Sequence, residues 1–62
     1  MTEYQNLPND PAMLLSFVNT QLCDNYASFS ELVAAFHADA DAITEKLKMI
    51  DYEYDETQNQ FV

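Results

Sequence analysis

Apolar residues recur at helical spacing in three stretches of the chain, and at strand spacing in a fourth. Met13, Leu14, Phe17, Val18 and Leu22 form the first helical stripe. Asp10 (or Asn9) is a suitable N-cap for it, and Pro11 suits the first helical position, where its missing N–H removes no bond. Asp24-Asn25 closes this segment, so helix 1 is expected over 10–24. Phe29, Leu32, Val33 and Phe36 follow the i, i+3, i+4, i+7 pattern and are the clearest amphipathic face. Ser28 and Glu31 stand at capping-box spacing, which places helix 2 at 28–37. After His37-Ala38, Asp39 caps a third stripe of Ile43, Leu47 and Ile50, giving helix 3 over 39–50. Lys46 and Lys48 fall in its last turns, where cations favour the negative end of the helix dipole.

The period then changes. Tyr52-Glu53-Tyr54-Asp55 alternates apolar and acidic residues, and Gln60-Phe61-Val62 can return against it. A short β-hairpin over 52–62 is expected, with Tyr52, Tyr54 and Phe61 packed on the helices, because a lone hairpin is barely stable in water. Residues 1–9 read as an extended lead-in. The predicted fold is mainly α: one small domain over 1–62, three short helices and then a C-terminal β-hairpin, in winged-helix-like order. The chain has no glycine, so Asn25, Asp51 and Asn59 are expected to take the positive φ angles that helix ends and turns require.

Composition narrows the function. Hydrophobic residues make up 48% of the 62, enough for a core and too much for a disordered tail. A chain this short buries only about 60% of its unfolded surface, which leaves little room for a deep substrate pocket beside a core. Lys46 and Lys48 stand against eleven acids, for a net charge of −9. Such a surface repels nucleic-acid phosphates and anionic membranes. The longest apolar runs, Ala12–Leu15 and Leu32–Phe36, fall far short of the ~20 residues of a membrane span. Cys23 is the only cysteine, and the N-terminus lacks the basic region and apolar stretch of a signal peptide. A cytoplasmic, soluble protein is expected.

The opening Leu7-Pro8-Asn9-Asp10-Pro11-Ala12-Met13-Leu14-Leu15-Ser16-Phe17-Val18-Asn19, with the ending Tyr52-Glu53-Tyr54-Asp55 and Asn59-Gln60-Phe61, resembles a bacterial family of small proteins known as a domain of unknown function. The resemblance covers nearly the whole chain. It implies the fold and a bacterial, cytosolic setting, and brings no activity with it. Against the family pattern, Cys23 stands where a basic residue is commoner and Asp51 where Gly is commoner. The second departure implies strain in the turn between helix 3 and the hairpin.

Four constellations suggest chemistry. Helix 2, turn, helix 3 and hairpin have the order of a winged helix-turn-helix, but helix 3 offers Asp39, Asp41 and Glu45 against two lysines, and the would-be wing over 55–60 adds Asp55 and Glu56 with no base. His37-Ala38-Asp39-Ala40-Asp41 suggests a hard-cation site, yet an EF-hand loop read from Asp39 has Thr44 where Gly is needed and Ile50 where Glu is needed. Asp51, Glu53 and Asp55 would share one face of a strand, toward water. Cys23 and His37 are the one thiol and the one imidazole, with nothing in their spacing to bring them together. No catalytic, cofactor-binding or metal-ligating residue is assigned, and no cofactor is expected. The expected function is a non-enzymatic adaptor that binds another protein, a basic one by charge, with homodimerisation in the same class. The alternatives are a helix-turn-helix-like DNA-associated regulator or DNA mimic, and a weak divalent-cation binder.

Overall fold

The computed structural model describes residues 7–62. Within them the chain forms α1 (Pro11–Asp24), α2 (Phe29–Phe36), α3 (Ala40–Lys48), β1 (Tyr54–Asp55) and β2 (Gln60–Phe61). The predicted order of three helices and an antiparallel hairpin is the observed one. The first six residues of the expected lead-in lie outside the described residues.

The helices start where their caps dictate. Asp10 Oδ2 accepts from the Met13 N–H at 3.2 Å, with Pro11 at the first helical position. Ser28 Oγ accepts from the Glu31 N–H at 3.2 Å, while Glu31 Oε1 reaches back to the Ala27 N–H, one residue before the cap, at 3.3 Å. Asp39 Oδ1 accepts from the N–H groups of Asp41 and Ala42. Each helix is therefore shorter than its periodicity suggests: the cap residues 10, 28 and 39 stand outside, as does His37 at the end of α2. Helix 3 stops at Lys48, and Met49, Ile50 and Asp51 form a turn.

Both α2 and α3 end in a Schellman pattern. At α2, Ala38 N–H donates to Val33 O and His37 N–H to Ala34 O. At α3, Tyr52 N–H donates to Leu47 O and Asp51 N–H to Lys48 O. Each pattern needs one left-handed residue, and these are His37 (φ 54) and Asp51 (φ 67). Asn59 (φ 56) takes the third positive φ, in the hairpin turn. Asn25 does not share this role: its φ is −126, because α1 ends with both Asn25 and Tyr26 donating to Gln21 O and needs no left-handed residue. A left-handed aspartate costs about 1 kcal/mol relative to glycine, and here it also places a negative charge just past the negative end of the α3 dipole. Asp51→Gly is therefore expected to stabilise the fold by about 1 kcal/mol, read as a rise in thermal midpoint.

Leu14, Val18 and Leu22 of α1, Leu32 and Phe36 of α2, Ile43 and Leu47 of α3, and Phe61 of β2 make the core. The central element is α1, which packs against α2, α3 and β2. Two aromatic clusters extend this core. Phe36 meets Phe17 and Tyr26 edge-on, at 5.6 and 5.9 Å between ring centroids. Phe61 meets Phe29 at 5.0 Å and Tyr54 at 5.4 Å. Of the expected core residues, Phe17, Phe29, Val33, Ile50 and Tyr54 pack half-buried against it, and two, Met13 and Tyr52, do neither. Met13 is 63% exposed, since the face of α1 toward α3 and β2 is set by Leu14, Val18 and Leu22 and Met13 points away from it. Tyr52 is 37% exposed, because pairing begins after it and the Schellman turn leaves it at the rim.

Candidate functional site

The hairpin is the part of the molecule where sequence signature, polar geometry and charge converge. Its turn over 56–59 is built by Asp55. Oδ1 accepts from the Thr57 N–H at 2.9 Å, Oδ2 from Gln58 Nε2 at 3.1 Å, and the backbone oxygen from the Asn59 N–H at 2.8 Å. The Gln58 side chain, then the Thr57 N–H, hold the Asp55 carboxyl below the ordinary aspartate value of 3.8. A depressed folded pKa gives stability that is present above the unfolded value and is lost as pH falls through the folded one. The stability difference between wild type and Asp55→Asn should thus be full at neutral pH and shrink below about pH 4, as followed by denaturant melts across that range.

A polar seam fastens this hairpin to the helices. On α1, Asn19 presents its side-chain amide to the free edge of β2: Nδ2 donates to Phe61 O at 3.1 Å and Oδ1 accepts from the Phe61 N–H at 2.8 Å. Gln60 Nε2 returns a bond to Asn19 O at 3.1 Å. Asn59 Nδ2 donates to Leu22 O (3.1 Å) and Tyr26 O (3.0 Å), satisfying carbonyls at the end of α1. Asn59 Oδ1 accepts from the Tyr54 hydroxyl at 2.6 Å, and that hydroxyl accepts from the Phe29 N–H at 3.2 Å. Tyr54 thereby caps an orphan N–H at the start of α2.

Outside the seam, Asp51, Glu53, Asp55 and Glu56 line a cleft of about 680 Å³ together with Lys48 and Tyr54, with Val62 at its side. A smaller groove of about 290 Å³ runs between Leu7-Pro8-Asn9, the end of α2 and α3, with Phe36, His37 and Ile43 in its walls.

Of the sequence-level candidates, Asp51, Glu53 and Asp55 meet in the hairpin cleft, while His37 and Cys23 lie apart from it and from each other. His37 borders the smaller groove with Asp39, whose Oδ1 is engaged in capping α3. Cys23 is exposed and borders a different depression, beside Asn19 and Gln60. Asp51, Glu53 and Asp55 do not share a strand face: only Tyr54 and Asp55 are in β1, and Asp55 is turned into the hairpin turn. Among the described residues, no group of three or more His, Cys, Asp or Glu could hold a metal ion. Lys46, one of the two cations on α3, donates to Asn9 O and Oδ1 at 3.1 and 3.3 Å and is thereby tied to the segment before α1.

A family model described as a domain of unknown function, DUF4250, matches residues 8–61. The chain belongs to this family. No functionally curated protein and no solved structure matches it. In this DUF4250 chain, the two stretches that carry the resemblance meet in space: Asn19 closes the opening stretch, and Tyr54, Asn59, Gln60 and Phe61 belong to the ending. Their joint role is the seam. The seam is not legible from periodicity, although one signal is present: Asn19 is a half-buried polar residue next to the buried Val18 on α1.

Proposed function

We propose that this DUF4250 chain is a cytoplasmic, non-enzymatic interaction domain that binds a basic segment of another protein on its anionic surface. The observation that carries this reading is how interior and surface divide the polar groups. Among the described residues no polar or charged side chain is buried, and every buried side-chain polar atom has a partner. The chemistry left to the protein is on its outside, where four acids gather around one lysine in the hairpin cleft. A cleft where acids outnumber bases four to one raises the local concentration of an oppositely charged partner and speeds its association.

The test compares wild type with Glu53→Lys/Glu56→Lys as baits in bacterial lysate at ~50 mM salt, and again at several hundred millimolar. The expected result is a basic partner held by wild type at low salt, released at high salt, and not held by the variant. Equal capture by both baits, or no capture at low salt, would contradict it. A gel shift of duplex DNA at ~50 mM salt, where phosphate attraction is strong, would instead favour a winged-helix regulator.

A further inference from the structure

The two edges of the hairpin are finished differently. Glu53 and Val62 exchange both backbone bonds, Glu53 N–H to Val62 O at 2.9 Å and Val62 N–H to Glu53 O at 2.8 Å. The next pair, Tyr54 and Phe61, is therefore the non-bonded kind, whose N–H and C=O groups point away from the partner strand. On the β2 side both outward groups of Phe61 are taken by the Asn19 amide, which imitates the peptide group of a third strand. On the β1 side the outward N–H and C=O of Tyr54 have no bonded partner among the described residues. Tyr54 is also among the residues that line the acidic cleft.

We propose that this open edge of β1 takes an extended, basic segment of another protein as a third strand, a proposal that rests on the interaction reading above. The Tyr54 N–H and C=O would bond the incoming backbone, as in other cases of strand addition. Its lysine or arginine side chains would reach Glu53 and Glu56, both exposed beside the edge. Charge decides between occupants. A second copy would set Glu53, Asp55 and their neighbours against the same acids, and like charges across a strand pair are destabilising. Short length and flanking charge are how natural sheet edges avoid self-pairing. Here the same charges select a basic strand.

The experiment titrates ¹⁵N-labelled protein with an acetylated, amidated heptapeptide of alternating lysine and valine. A counterpart of equal charge, N-methylated at every residue, is run in parallel. The expected result is shifts centred on Glu53, Tyr54 and Asp55, slowed exchange of the Tyr54 amide, and about threefold to tenfold weaker binding of the methylated peptide, which lacks backbone donors. Equal binding of the two peptides would overturn strand addition while leaving the anionic-surface reading standing. Shifts centred on the Leu7–Lys46 groove would also overturn it. No binding of either peptide at ~50 mM salt would overturn both.

Discussion

Phe61→Ala is expected to unfold the domain at 37 °C. Phe61 is 1% exposed and is the one hairpin residue in the core, with its ring against Phe29 and Tyr54. Truncating a buried Phe to Ala costs about 3–5 kcal/mol, from lost burial and the cavity left behind. Folded domains hold roughly 0.05–0.15 kcal/mol per residue, or about 3–9 kcal/mol for a chain of this length. The substitution thus removes most of the available stability. Far-UV circular dichroism should show lost helix signal, although the change is in a strand, because α1 packs on β2. Phe61→Leu, which keeps most of the apolar volume, should remain folded with a lowered midpoint.

Asn59→Ala is expected to cost about 3–4 kcal/mol, unusually much for a turn residue. Two losses combine. The side chain makes three hydrogen bonds, to Leu22 O, Tyr26 O and the Tyr54 hydroxyl, each worth about 1 kcal/mol net. The backbone sits at φ 56, where alanine adds about 1 kcal/mol of strain. Asn59→Gly separates these terms. It relieves the strain, loses the bonds, and should cost about 1 kcal/mol less than alanine. Tyr54→Phe removes one hydroxyl from the same seam and should cost about 1–2 kcal/mol. Urea melts of the three variants give the ranking; equal costs for alanine and glycine would show that φ at Asn59 contributes nothing.

The sequence is most legible where the determinants are local. The caps at Asp10, Ser28 and Asp39 lie within three residues of the N–H groups they satisfy, and the stripe of Leu32 and Phe36 follows from helical period alone. Legibility fails where a distant element decides. Asn19 meets Phe61 across 42 positions and Asn59 meets Leu22 across 37, and no periodicity encodes such a bond. Helix ends fail for a related reason. Both Asn25 and His37 stand at a helix end, and Asn is the better left-handed residue in general. Yet α1 stops without a left-handed residue, and the tight passage from α2 to the Asp39 cap imposes one on His37. The separation of His37 from Cys23 agrees with their sequence spacing, while the acidic cleft depends on the turn geometry around Asp55.

The seam also governs the functional reading. A mobile hairpin would present Glu53, Tyr54 and Asp55 in many arrangements, and a strand edge that is to recognise an incoming backbone must be held in one. The Asn19, Asn59 and Tyr54 bonds make the hairpin part of the same cooperative unit as the helices, so the edge is presented on a rigid body. Native-state hydrogen exchange tests this claim most directly. The Phe61 amide, bonded to Asn19 Oδ1, should exchange only by global unfolding, with the same opening free energy as Val18 and Leu22 in α1. Exchange of Phe61 at the rate of an exposed amide, while Val18 and Leu22 stay protected, would contradict it.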